Sequence, residues 1–282
     1  MIDSTQANTL LDALITAVDA PKTNNTGELY CGLDLGTAFI VLTVVNDKGE
    51  PVACAYQFAN VVRDGLVVDY VGACDIAASL KKQVEKILGT ELIHCAVAIP
   101  PKTEQLDGGA VKNVAESTGM NVVAVFDEPT AANLVMNTQE GAVVDIGGGT
   151  TGISIFEHGK VVTCEDESTG GTHFSLVLAG AKGMSFNEAE LYKRDAAHHE
   201  EIVPIVAPTI DKVSSIIRSA CRNRHVPEII LVGGTSELSG IEDRIEKALN
   251  IPVYKPNHPM FVTPLGIALG CRLHMLQEAH HA

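Results

Sequence analysis

Val143-Val144-Asp145-Ile146-Gly147-Gly148-Gly149-Thr150-Thr151 carries an apolar strand into an aspartate, a glycine run and two threonines. Lacking Cβ atoms, glycines let backbone amides close around a phosphate, and threonine hydroxyls add further donors. An aspartate beside an anion makes sense once a hydrated Mg²⁺ stands between them. The run reads as half of a metal-nucleotide site, or more simply as a hairpin turn between two strands. Its surroundings decide between the two.

The same chemistry occurs earlier. Asp34-Leu35-Gly36-Thr37 also follows an apolar strand, Leu29 to Asp34, and precedes a Val/Ile/Thr-rich strand, Ala38 to Asn46. With Pro51 to Phe58 these form an antiparallel meander. From Gly141 the pattern restarts: a strand to Asp145, a strand over Gly152 to Phe156, and another over Val161 to Glu165. Two related α/β halves are expected.

Between the meanders, Val61 to Tyr70, with Arg63-Asp64-Gly65, reads as a hairpin. Gly72 to Leu88 reads as a helix with Ile76, Leu80, Val84, Ile87 and Leu88 inward and Lys81, Lys82, Glu85 and Lys86 in water. A strand over His94 to Ile99, a helix over Gln105 to Ser117 and a strand over Asn121 to Phe126 follow. The last strand enters Asp127-Glu128-Pro129-Thr130-Ala131-Ala132-Asn133, where Pro129 suits a first helical turn. Glu128 sits at that strand-to-helix mouth, as a reactive carboxylate or as a complement to the helix dipole.

After the second meander comes Ser168-Thr169-Gly170-Gly171-Thr172-His173, a second glycine-rich connection. Helices are expected over His173 to Ala181 and Asn187 to Asp195, the latter with Glu190 and Lys193 on one face. That pair reads as a clamp on a ribose or adenine edge, or as a solvated ion pair. His198-His199, beside Glu200-Glu201, reads as exposed helix surface, and Ile202 to Arg224 as a long helix kinked near Pro208. Glu228 to Val232 is a strand ending in Gly233-Gly234-Thr235-Ser236, where a nucleoside can lie against backbone. Val253 to Pro264 reads as loop, and Leu265 to Leu276 as a final helix whose Gly266 and Gly270 admit a close neighbour.

At the N-terminus, Leu10, Leu11, Leu14, Ile15 and Val18 make one apolar stripe over Thr5 to Ala20, tethered by Pro21 to Gly27. Such a helix docks on a partner or packs back on its own domain. The organisation read from the chain is therefore a helix and linker at 1–27, a first half at 28–140 completed by the C-terminal helix 265–282, and a second half at 141–264.

Across 282 residues the formal charge is −15. That argues against a nucleic-acid or anionic-membrane surface. No unbroken apolar run reaches the length of a membrane span, and no signal-peptide pattern opens the chain, so the expected location is cytoplasmic. The seven cysteines are scattered and form no C-x-x-C, so reduced, mostly buried thiols are expected rather than a disulfide frame or zinc site.

In order along the chain, Asp34-Leu35-Gly36-Thr37, Glu128-Pro129-Thr130-Ala131-Ala132, Asp145 to Thr151, Gly233-Gly234-Thr235-Ser236 and Pro264-Leu265-Gly266-Ile267-Ala268 resemble the actin-like and Hsp70-like ATPase superfamily. Within it, the chain is similar to small chaperone-like members that serve ethanolamine utilisation, and Val61 to Tyr70 resembles the same stretch in those members and in their pilus-assembly and filament relatives. The resemblance implies an actin-like α/β fold with ATP and Mg²⁺ held between two halves. It places Gly36, Thr37, Gly147, Gly148, Gly149, Thr150 and Thr151 at the phosphates, and Asp34 and Asp145 at the metal's waters. Glu128 would orient the attacking water, Gly171, Gly233, Gly234 and Thr235 would line the nucleotide, and Glu190 and Lys193 would match the filament relatives' nucleoside clamp.

The sequence also departs from that pattern. No Gly-x-x-Ala-Lys segment supplies the phosphate lysine of Hsp70 proteins, and actin's lysine seven residues beyond its first aspartate is Val41 here. The resemblance thus implies slow or absent hydrolysis. The stretch from Gly171 to Glu228 is short for an inserted lobe, and no peptide-binding domain is expected after residue 282. The function expected is an ATP-binding, chaperone-like assembly protein acting on an ethanolamine-pathway enzyme or a bacterial microcompartment component. Homo-oligomerisation stays open. The alternatives are a nucleotide-binding scaffold without turnover and a small-molecule kinase, for which no acceptor-facing base is assignable.

Overall fold

In the computed structural model, residues 4–23, 27–63, 65–101 and 108–281 are described. Within the expected segments, Asn24, Asn25 and Thr26 of the linker, Asp64 of the hairpin and the start of the expected helix at 105–107 lie outside them. The chain divides into two compact units, one spanning Thr138–Met260 and the other made of the remainder.

The first unit opens with α1 (Thr5–Asp19), then β1 (Tyr30–Leu35), β2 (Phe39–Val45), β3 (Pro51–Phe58), the short pair β4 (Val62–Arg63) and β5 (Leu66–Val67), α2 (Tyr70–Leu88), β6 (His94–Ile99), α3 (Gly108–Ser117), β7 (Asn121–Asp127) and α4 (Glu128–Met136). The second contains β8 (Gly141–Ile146), β9 (Thr151–Glu157), β10 (Lys160–Glu167), α5 (Gly171–Lys182), α6 (Phe186–Arg194), α7 (His199–Ala220), β11 (Ile229–Val232), α8 (Ile241–Leu249) and β12 (Val253–Tyr254). The chain returns to the first unit with α9 (Val262–His281).

Each unit holds a five-stranded sheet, ordered β3-β2-β1-β6-β7 in one and β10-β9-β8-β11-β12 in the other. Both are antiparallel on the meander side and parallel beyond it. The repeated topology matches the repeated sequence pattern. The central strands β1 and β8 are nearly continuous apolar runs because both their faces are covered.

Local chemistry explains the boundaries. Asp69 caps α2 by accepting from the Gly72 amide at 2.9 Å, and Gly89 ends it in the left-handed region at φ 67. Asp127 caps α4 through the Thr130 amide at 2.9 Å, with Pro129 in the first turn. Pro204 and Pro208 both lie inside α7. β12, in the stretch read as loop, is only two residues long, and such a strand leaves no periodicity to read.

In the first unit α1 packs on β3, burying Ala7, Leu11, Leu14 and Ala17. The buried stripe takes in Ala7 and Ala17 and leaves Leu10, Ile15 and Val18 half-buried, so it is rotated slightly from the expected one. On α2, Ile87 is exposed while Lys81, read as solvated, is buried and pairs with Glu85 at 3.1 Å. α9 packs across β1 and α4. A Cβ on Gly266 would fall 1.9 Å from the Ala131 carbonyl oxygen, one on Gly270 would fall 2.5 Å from the Phe126 ring, and one on Gly32 would fall 2.5 Å from the Ala268 amide. Small residues on β1, α4 and α9 thus permit backbone-to-backbone approach. Among the described residues, one helix, Pro259–Ala279, is by length and composition long and apolar enough to cross a membrane, but 61% of its apolar window is buried inside the protein.

All seven cysteines are free, and four of them are buried. Burial pushes the Cys54 and Cys271 thiols up to about 12 and Cys221 up to about 11, and lifts Cys31 and Cys95 as well. Their thiolates are scarce at neutral pH, which makes them poor nucleophiles.

Candidate functional site

All six residues of β8 are buried, and Asp145 is the fifth of them. The chain then turns: the Gly147 amide donates to the Thr150 carbonyl at 3.0 Å and Thr151 starts β9. The Gly147 and Gly148 carbonyls accept the Gly171 and Thr172 amides at 2.9 and 2.7 Å, so the loop is stapled to the start of α5. Gly170 makes the staple possible, because a Cβ there would meet the Gly147 carbonyl oxygen at 2.7 Å and the Gly149 carbonyl carbon at 2.8 Å. The Gly147, Gly148 and Thr150 carbonyls of the turn are engaged, while the Gly148 and Gly149 amides take no acceptor among the described residues. Gly148 is half-buried and Gly149 buried, and donors placed so without acceptors suit an anion.

The loop after β11 closes on the same turn. In the parallel register Val232 pairs with Asp145, so Gly233 emerges one strand over from the aspartate. Gly233 has φ 87, and a Cβ on it would land 2.1 Å from Asp145 Oδ1. Only glycine fits that backbone beside that carboxylate. Thr235 Oγ1 donates to the Gly147 carbonyl at 2.7 Å.

α6 supplies a brace. Lys193 Nζ donates to the Gly171 carbonyl at 2.9 Å, to Ser175 Oγ at 2.8 Å and to Glu190 Oε2 at 2.8 Å. Glu190 Oε2 also accepts from Ser175 Oγ at 2.5 Å, and its Oε1 accepts from Arg194 Nε and Nη2 at 3.0 and 2.8 Å. Burial alone would raise the Glu190 carboxyl; Lys193, Ser175 and Arg194 more than reverse that, holding it below the usual carboxylate value. Burial pushes the Lys193 ammonium below the usual lysine value, with Glu190 opposing.

In the first unit, Asp34 is the fifth residue of β1 and half-buried, and Gly36 and Thr37 follow in the bend to β2. A Cβ on Gly36 would meet the Phe39 carbonyl oxygen at 2.9 Å. Val41 lies directly across from Asp34 in the antiparallel register and is 2% exposed. Glu128 is the first residue of α4, half-buried, at the same carboxyl edge of the sheet. It leaves β7, two strand spacings from β1, or roughly 10 Å.

A family model described as MreB/Mbl protein matches residues 55–180, and one described as cell division protein FtsA matches residues 142–266. The ethanolamine utilization protein EutJ of Escherichia coli (strain K12) is 40% identical over 263 residues, covering 93% of this chain and 90% of its own length. The chain belongs to the EutJ family. The crystal structure of EutJ from Carboxydothermus hydrogenoformans superposes on the EutJ-family chain with a TM-score of 0.89 at 43% identity, over 95% of this chain and 99% of that one. The actin-like ATPase fold is shared more widely. MreB5 of Spiroplasma citri bound to AMPPNP matches at TM-score 0.74 and 17% identity, over 92% of this chain and 100% of that one. A PilM-PilN type IV pilus biogenesis complex matches at 0.71 and 15%, over 88% and 99%.

Within the Thr138–Met260 unit of this EutJ-family chain, Asp145, Gly147, Gly148, Gly149, Gly171, Glu190, Lys193, Gly233 and Thr235 come together. Gly234 lies beside them, against the Met260 side chain. Thr150 is nearly buried and gives the turn its carbonyl. Thr151 is placed differently from the expectation. Its hydroxyl points inward and donates to the Thr169 carbonyl at 2.5 Å, so it ties two glycine-rich connections together and offers no donor to a phosphate. Glu190 and Lys193 are no solvated pair, and as placed each spends its polar capacity inside the protein. His199, read as exposed, is buried, bonded between Ser239 and the Lys193 carbonyl. Ser175 and His199 escaped the sequence reading, since a helical serine and a histidine amid polar neighbours carry no distinguishing pattern.

Proposed function

We propose that the chain binds ATP with Mg²⁺ and couples nucleotide-dependent closure of its two halves to a protein partner of ethanolamine utilisation associated with a bacterial microcompartment. The observation that carries nucleotide binding is the Gly147–Thr150 turn. Its amides at Gly148 and Gly149 stand without acceptors among the described residues, beside Asp145, in a cradle that a Cβ at Gly170 or Gly233 would fill. Those amides fit phosphate oxygens. The carboxylates of Asp145 and Asp34 suit the waters of a hydrated cation, which supplies charge neutralisation for the phosphates. Glu128 is the candidate to orient water, and Gly171, Gly233, Gly234 and Thr235 shape the nucleoside side. The MreB5 structure that carries AMPPNP on this fold, and the ethanolamine-utilisation name of the more similar relatives, support the reading.

A second reading, a nucleotide-binding scaffold without turnover, is favoured by Val41. Where actin has a phosphate lysine, an apolar side chain lies buried opposite Asp34. Lys193 does not replace it, being committed to Gly171, Ser175 and Glu190. Calorimetric titration with ATP and Mg²⁺, run beside phosphate release from wild type and Asp145→Ala, separates the readings. Binding with release that Asp145→Ala abolishes supports the ATPase; binding without release supports the scaffold; no binding sinks both. A pull-down from cells grown on ethanolamine, with and without ATP, tests the partner, and capture that ignores nucleotide counts against coupling.

A further inference from the structure

His199 has no direct part in the nucleotide cradle, yet it joins the two segments that enclose it. The Ser239 amide donates to His199 Nδ1 at 3.0 Å, and Ser239 Oγ lies 3.2 Å from the same nitrogen. An amide N–H can only donate, so Nδ1 is the bare nitrogen and the proton sits on Nε2. Nε2–H then donates to the Lys193 carbonyl at 3.1 Å. The ring is 6% exposed and is fixed at both nitrogens.

From there a hydrogen-bonded circuit closes. Lys193 Nζ holds the Gly171 carbonyl at 2.9 Å, and the Gly171 amide holds the Gly147 carbonyl at 2.9 Å. Thr235 Oγ1 holds that same Gly147 carbonyl at 2.7 Å, and the Leu238 amide holds the Thr235 carbonyl at 3.2 Å, one residue from Ser239. We infer that His199 is a positioning residue that locks α6 to the loop after β11 and thereby sets the glycine turn for a phosphorylated ligand. The ligand rests on the nucleotide reading above; the circuit itself does not. Removing the imidazole leaves the Ser239 amide and the Lys193 carbonyl without partners, and frees α6, with its Lys193 brace, to shift against the turn.

The test is amide hydrogen exchange on the ligand-free full chain as wild type, His199→Ala, His199→Gln and His199→Asn. Gln is long enough to serve both partners, whereas Asn retains an acceptor for Ser239 but falls short of Lys193. The expected result is loss of protection in His199→Ala both at Ser239 and at Gly171, which His199 does not touch, with Gln restoring both and Asn restoring Ser239 alone. Loss confined to residues 236–240, or an unchanged Gly171 amide, overturns the inference. If His199→Ala fails to fold, equal Gly171 protection in the Gln and Asn variants overturns it instead. In a second arm, Mg²⁺-ATP affinity is expected to fall roughly tenfold in His199→Ala and to recover in His199→Gln. Wild-type affinity in His199→Ala contradicts the positioning role. A wild type that binds no ATP defeats the nucleotide reading, and the exchange data still decide the circuit.

Discussion

Lys193 spends all three of its N–H bonds on Gly171, Ser175 and Glu190, and Glu190 is saturated in turn by Ser175, Lys193 and Arg194. A buried network of this kind is costly to break at one member, because the remaining charge has no water to turn to. Lys193→Met should therefore destabilise the chain by about 3–5 kcal/mol in denaturant unfolding. Acid titration offers a separate check. Because the folded-state pKa of Glu190 lies below its ordinary 4.5, its contribution is complete above that value and is lost as pH falls through the depressed folded value. Glu190→Gln should flatten the acid limb of the stability curve below pH 4.5, and an unchanged acid limb would show that the network carries no such weight. At Gly233 the backbone and the neighbouring carboxylate act together. A methyl there meets Asp145 Oδ1 and a φ of 87, so Gly233→Ala should cost roughly 1–3 kcal/mol and weaken ATP binding.

Among the elements, the α4–α9 contact is the least forgiving. A Cβ at Gly266 lies 1.9 Å from the Ala131 carbonyl oxygen, and backbone cannot rotate out of the way as a side chain would. Gly266→Ala should lower stability by about 1–3 kcal/mol or more, measured by thermal or chemical unfolding, whereas an alanine at exposed Gly180 on α5, which has nothing within 4 Å, should not. α1 offers a second test. Leu11 and Leu14 are fully buried against the first unit, and each contributes about 1.5–3 kcal/mol on burial. Removing residues 1–26 should lower the melting temperature by several degrees, where a free tether would leave it unchanged. The strands, their aspartate-glycine ends and the small-residue helices were legible because each rests on local chemistry: an apolar run, a turn glycine, a cap. The four-residue β11 was read because Gly233-Gly234 marks its end, while the two-residue β12 has no such marker. His199 and Lys81 were misplaced for one reason. Hydropathy assigns polar side chains to water, and here tertiary partners satisfy them in the interior.

For the whole molecule, the duplicated sheet order explains why two aspartate-glycine motifs stand at equivalent strand ends, at Asp34 and Asp145. The duplication is unequal at the ligand. In the Thr138–Met260 unit the glycine turn is braced by α5, α6 and the loop after β11, whereas in the other unit Val41 occupies the position across from Asp34. That asymmetry predicts firm nucleotide binding with weak turnover, so calorimetry and phosphate-release assays on one preparation should disagree in magnitude. The central claim, that the Gly148 and Gly149 amides receive phosphate, is tested most directly by following those two amide resonances while Mg²⁺-ATP is added. Saturable shifts at both, in step with the calorimetric isotherm, are the predicted result; binding that leaves both resonances in place, or no binding, would contradict it.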